Sequence, residues 1–140
     1  MSPELEQKLA QEFALMRPRT DTNQAGCIYD LYAAFGCDFG GDGWYEIMRG
    51  LCKELQEACN KEPGAKVIPM QIKEKFGSLQ FYFHAENCSE ELNDELYNIV
   101  NKWEGISERT CMECGAAAVM RNNGGWVSPL CEEHYAERRR

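Results

Sequence analysis

Four residues near the C-terminal end of this 140-residue chain have the types and spacing of a metal site: Cys111-Met-Glu-Cys114 and, after sixteen intervening residues, Cys131-Glu-Glu-His134. Thiolate and imidazole are the usual ligands of tetrahedral zinc, and each short loop can place two donors about 2.0–2.3 Å from one ion. Four protein ligands leave no coordination position for water. The spacing therefore predicts a structural Zn2+ and not a catalytic one, and such an ion would supply much of the folding free energy of its own stretch of chain.

The intervening residues predict how the two pairs meet. Gly115 relieves the tight turn after the first pair, Asn123-Gly124 is a hairpin turn signal, and Ala117 to Met120 and Trp126 to Leu130 can serve as its strands. The second pair then opens a short helix through Tyr135 and Ala136. A knuckle, a hairpin and a helix whose first turn carries the last two ligands resembles the zinc-ribbon and treble-clef group.

A second ligand set competes for the first two cysteines. His84-Ala-Glu86 followed by Cys111 and Cys114 resembles the zinc-dependent nucleoside and nucleobase deaminases, in which one His and two Cys hold the metal and a Glu shuttles protons. Thr110 stands where that family has proline, and Cys131 and His134 would be left unused. Other enzyme signatures are thin. The glycines from Gly36 to Gly43 lack the spacing of a phosphate or dinucleotide loop, and Asp38 and Asp42 do not match a calcium loop. No nucleophile motif is present, so the chain reads as non-enzymatic. Cys27, Cys37, Cys52, Cys59 and Cys88 show no recurring pair spacing and read as small buried hydrophobes.

The elements that must carry these residues are legible from periodicity. Leu5, Leu9, Phe13 and Met16 mark an amphipathic helix ending before Pro18, followed by polar loop from Arg19 to Gln24. Ile28 to Phe35 is ambiguous between helix and strand. Trp44, Ile47, Met48, Leu51, Leu55, Ala58 and Cys59 share one helical face, with Asp42 or Gly43 as the N-cap and Glu46 in the first turn. After Pro63-Gly64, Ile68, Met70 and Ile72 alternate, as do Leu79, Phe81 and Phe83, predicting a β-hairpin joined through Lys73 to Ser78. Pro69 cannot donate to a ladder, which places it on an edge or at a bulge. Leu92, Leu96, Ile99 and Trp103 mark a further helix. The fold class is α+β: helices packed on a β-hairpin or small antiparallel sheet (residues 1–108), plus the zinc-binding module (residues 109–140).

The formal charge of −8 is uneven, with 10 basic and 19 acidic side chains in residues 1–108 but 5 and 4 in residues 109–140. Such a body repels phosphate at long range, so basic protein surfaces are its more natural partners and direct nucleic-acid binding is the lesser expectation. No apolar run approaches the roughly 18 residues of a membrane span, and the first residues resemble no leader; a cytoplasmic protein with no membrane partner is expected. Lys66, Lys73, Lys75, Phe76 and Tyr82 form a basic and aromatic cluster on the hairpin. Lys73, Lys75 and Phe76, with Asp42 and Trp44 from the Gly-rich turn, are the candidate partner-binding residues.

Gly41-Asp-Gly-Trp44, Gln71-Ile-Lys-Glu-Lys-Phe-Gly-Ser-Leu-Gln-Phe-Tyr82, Cys-x2-Cys-Gly, Gly125-Trp126 and Leu130-Cys-x2-His together resemble a family of small bacteriophage and prophage proteins. The resemblance spans residues 36–135 and implies a phage-derived protein made in bacterial cytoplasm, with no activity to carry over. The leading expectation is a non-enzymatic accessory protein that binds a host or phage protein and inhibits a host nucleic-acid-handling or defence system. The alternatives are a regulator whose zinc module binds nucleic acid, and a deaminase using His84, Glu86, Cys111 and Cys114.

Overall fold

The structure, a computed structural model, describes residues 1–17, 20–22, 28–30 and 37–139. Helix α1 (Pro3–Glu12) starts where Ser2 Oγ accepts a hydrogen bond from the Leu5 amide, with proline in the first turn and Glu4 and Glu6 beside the positive helix end. A single 3-10 turn (Ala14–Met16) follows, so the α-helix ends earlier than the expected boundary before Pro18; Leu9, Phe13 and Met16 are buried and Leu5 is half-buried. Strands β1 (Thr20–Thr22) and β2 (Ile28–Asp30) pair antiparallel. Part of the expected polar loop is therefore a strand, and the ambiguous apolar segment begins as one; Arg19, residues 23–27 and residues 31–36 lie outside the described residues.

The central sheet has three strands in the order β3 (Cys37–Asp38), β4 (Lys66–Lys75), β5 (Ser78–Glu86). Its β4–β5 hairpin is the predicted one, but β3 runs parallel to β4 through Cys37↔Ile72 and Asp38↔Lys73. The sheet is thus mixed, not purely antiparallel, and β3 goes unpredicted because a two-residue strand has no periodicity to read. The register shifts between Pro69 and Gln71, so the proline that cannot donate sits beside a bulge. Phe76 and Gly77 form the two-residue connection, both left-handed at φ 52° and 81°, as a type I′ turn requires.

Helices α2 (Tyr45–Cys59) and α3 (Glu90–Ser107) cover this sheet. Ile47, Met48, Leu51, Leu55 and Ala58 bury the predicted face of α2; on α3 Leu92 and Leu96 are buried as predicted, while Ile99 and Trp103 are half-buried and Val100, outside the predicted stripe, is buried with them. The N-cap of α2 is Trp44, with no side-chain cap bond. The expected cap, Asp42, is engaged elsewhere: its Oδ1 accepts the Ser2 amide at 2.8 Å. The helices approach closely at Gly50, where a Cβ would lie 2.3 Å from the Trp103 ring. Helix α3 also protects the outer edge of β5. Ser107 Oγ accepts the Leu79 amide at 2.9 Å and Glu104 Oε2 accepts the Phe81 amide at 2.8 Å, satisfying donors that would otherwise invite another strand.

The C-terminal stretch forms strands β6 (Val119–Asn123) and β7 (Trp126–Leu130) and helix α4 (Glu132–Arg138). Strand β6 starts two residues later than its apolar run suggested, and the connecting residues are Gly124 and Gly125, with Asn123 the last residue of the strand. Among the described residues there are four α-helices, and none is long and apolar enough to cross a membrane.

Residues 109–139 pack directly on the rest. The Gly43 amide donates to Met112 O at 2.8 Å, and Trp44 Nε1 donates to Thr110 O at 3.0 Å. A Cβ on Gly43 would lie 2.0 Å from Cys111 O, so only glycine permits this backbone approach.

Candidate metal centre

The first pair of ligands is shaped by a tight backbone turn. Gly115 N donates to Cys111 O at 2.9 Å, Cys111 N donates to Ala116 O at 2.8 Å, and Gly115 closes the turn at φ 82°. Met112 N then reaches Pro129 O at 3.0 Å, tying the turn to β7, the strand that leads into the second pair. Cys131 is the N-cap of α4 in extended geometry, and His134 follows in the first turn, where one turn of helix returns it to the side of Cys131.

The four donor atoms all lie within 4.8 Å of one another. Cys114 Sγ is 3.9 Å from Cys131 Sγ, and His134 Nδ1 is 3.7 Å from Cys111 Sγ and 3.2 Å from Cys131 Sγ. A tetrahedron with the usual zinc bond lengths has edges of about 3.8 Å between sulfurs and about 3.6 Å between sulfur and nitrogen. The set is compatible with a bound metal ion such as zinc. His134 offers Nδ1 to the thiols while Nε2 lies 4.0 Å from Glu137 Oε2, the kind of outer carboxylate that orients a ligating imidazole.

The groups lie close enough to shift one another's proton affinity. Burial alone would push the Cys111 thiol up, but the N–H groups of Cys131, Cys114 and Glu113 outweigh it and hold the thiol at about 7. The Ala116 N–H pulls the Cys114 thiol down, but burial and the neighbouring sulfurs push it up overall. His134 is raised by its hydrogen bond with Cys131, against a smaller opposing effect of burial. Cys111 is buried, Cys114 exposed, and Cys131 and His134 half-buried, so the centre sits at the surface with one ligand rooted inside.

The competing ligand set is not assembled. His84 lies exposed on β5 opposite Ile68, and the residue that joins Cys111 and Cys114, along with Cys131, is His134. Strand β5 runs away from the knuckle, a path that the spacing of His84 and Glu86 cannot reveal. Of the other cysteines, Cys37, Cys52 and Cys59 are buried, and burial pushes the Cys37 thiol up to about 12 and raises the other two. Cys88 is half-buried, and Cys27 lies outside the described residues.

The expected partner-binding residues divide. Phe76 is 79% exposed, Lys75 is exposed beside it with Nζ 5.9 Å from the ring centroid, and Lys73 Nζ lies 5.9 Å from the Tyr82 ring. Asp42 is exposed but holds the Ser2 amide. Trp44 requires correction: it is 0% exposed, edge-on to Phe39 with ring centroids 5.1 Å apart, and offers nothing to a partner. Gly41 and Gly43 press against the Cys111–Glu113 backbone and seal the indole inside, a long-range contact that local sequence does not disclose.

Two features had only faint sequence signals. Glu137 is three residues after His134, a spacing that places both on one helical face. Trp126, beside a glycine turn, is 67% exposed near Arg121, whose guanidinium carbon lies 4.7 Å from the Tyr135 ring centroid. Comparison of the chain with protein-family models, with curated proteins and with solved structures finds no match, which leaves the chemistry of its own residues as the ground for its function.

Proposed function

We propose that the chain is a non-enzymatic binding protein that contacts a protein partner through the β4–β5 tip. In this reading Cys111, Cys114, Cys131 and His134 hold a structural Zn2+ in a zinc-ribbon or treble-clef-like module that braces the tip. With all four positions taken by protein, the ion supplies cross-linking and no open site for chemistry.

Phe76 carries the proposal. It occupies the left-handed region at φ 52°, where a residue with a Cβ is less stable by roughly 1–2 kcal/mol. Glycine or asparagine is the favoured choice there. An aromatic ring that is 79% exposed recovers almost nothing by packing within the chain. Unfavourable local choices of this kind are expected at functional positions.

The tip is also held in place. Glu74 Oε2 accepts the Gly77 amide at 2.7 Å, and a Cβ on Gly77 would lie 2.5 Å from Met120 Sδ and 3.2 Å from Val127 O. The hairpin therefore rests against β6–β7, and Lys73, Lys75 and the half-exposed Tyr82 flank the ring. A pre-positioned aromatic anchor with a charged surround is the usual composition of a contact centre.

The wider reading is a partner with a basic, nucleic-acid-binding surface, in a host nucleic-acid-handling or defence system. It is supported by the −8 charge concentrated in residues 1–108 and by the resemblance to phage and prophage proteins. Phe76→Gly tests the central claim. It should raise the thermal midpoint by relieving backbone strain while abolishing partner capture from bacterial lysate. A photo-crosslinking phenylalanine at position 76 should give a discrete adduct that the same group at position 97 does not. A Phe76→Gly variant that is less stable yet captures normally would make the residue structural and sink the proposal.

A further inference from the structure

We propose that the cleft between β6–β7 and α4 is a binding site for single-stranded nucleic acid, taking one phosphate inside and one base on Trp126. This site is separate from the hairpin tip and does not rest on the reading of Phe76.

The register of β6 and β7 sets Arg121 opposite Ser128 and Asn123 opposite Trp126, and directly paired residues share a face of a sheet. Helix α4 lies across that face and brings Tyr135 and Arg138 to it. The resulting cavity of about 120 Å3 is lined by Arg121, Asn123, Trp126, Ser128, Leu130 and Arg138. Every polar lining side chain can bond a phosphate oxygen.

The arginines are held in defined orientations. Arg121 Nε donates to Leu130 O at 3.1 Å and its guanidinium stacks on Tyr135, with Arg139 on the same ring at 5.3 Å. A guanidinium anchored through Nε keeps its terminal nitrogens for an oxyanion. Arg138 reaches Ser128 Oγ at 3.5 Å but is paired with Glu113, which makes Arg121 the principal anion donor. Among the described residues Arg121 has no acidic partner within 4.0 Å.

The cavity is lined by phosphate-binding side chains, and the exposed ring beside them offers a base a stacking face. Trp126 stands at the mouth with its indole 67% exposed. Stacking on it requires an unstacked base, which favours a single strand over a duplex. The excess acid of residues 1–108 opposes approach at low salt, but charges more than about 8 Å away are screened at physiological ionic strength. Contact within the cleft then decides binding, and modest, salt-sensitive affinity is expected.

The test uses the full chain loaded with zinc and a fluorescent oligo-dT of about a dozen nucleotides, followed by anisotropy at about 150 mM salt, where the acidic body is screened. Binding is expected, with Arg121→Gln and Trp126→Ala each weakening it by about tenfold and Trp126→Phe retaining most of it. Zinc content and circular dichroism of the variants establish that they are folded. The proposal is overturned if the oligonucleotide does not bind, if folded Arg121→Gln and Trp126→Ala bind normally, if a duplex of equal length binds as tightly, or if a phosphopeptide does so.

Discussion

At the scale of single residues, the candidate metal centre makes the sharpest demand on His134. Its Nδ1 faces two thiols at 3.7 and 3.2 Å, whereas His84 stands on β5 outside the cluster. Removing one of four ligands opens the coordination shell, so His134→Ala should lose stoichiometric zinc when measured by atomic absorption after dialysis. His84→Ala should keep it. The reverse outcome would transfer the metal to the deaminase-like ligand set. Phe76 belongs to the same scale, because its strain is local and the glycine substitution acts on one pair of backbone dihedrals.

At the scale of elements, edge protection of β5 links a helix to a strand through one titratable group. Burial raises the Glu104 carboxyl, only partly offset by the Phe81 N–H, with the Glu108 charge adding to the rise. The folded state therefore holds the proton more tightly than the unfolded state. The stability this contributes is fully present below the ordinary glutamate value of about 4.3, and it is lost as pH rises through the elevated folded value. Glutamine at 104 can still accept the Phe81 amide but does not titrate. Relative to Glu104→Gln, the unmutated protein should lose stability between the ordinary glutamate range and neutral pH, as read from urea midpoints. Glu54 is shifted the opposite way, chiefly by its hydrogen bond to Lys102; it is common to both proteins and cancels in the comparison.

At the scale of the whole molecule, the candidate metal site and the body share hydrogen bonds. Gly43 N to Met112 O, Trp44 Nε1 to Thr110 O and Met112 N to Pro129 O connect the start of α2, the cysteine turn and β7. A two-stranded hairpin with a seven-residue helix buries too little to persist alone. Removal of zinc by a chelator should therefore abolish hydrogen-exchange protection at Gly43, Met112 and Gly115. Leu96 and Val100 in α3, buried against the main core, should keep theirs. Equal loss of protection in α3 would show that the metal stabilises the whole chain as one cooperative unit.

Much of this organisation is legible in the amino-acid sequence because it is local. Periodicity of 3.6 marks α2 and α3, alternation marks β4 and β5, and the spacing of Cys111, Cys114, Cys131 and His134 marks a donor set, since each follows from residues within a few turns or one hairpin. Tertiary structure decided what depends on distant chain segments. Glycines 41 and 43 admit the Cys111–Glu113 backbone and thereby turn Trp44 from a candidate contact into core. Strand β3 exists only by pairing with β4, which lies nearly thirty residues away. Whether His84 or His134 joins Cys111 and Cys114 is likewise set by the path of β5 through the sheet. Such choices rest on packing and backbone hydrogen bonds between segments far apart in the chain, which spacing along the sequence does not encode.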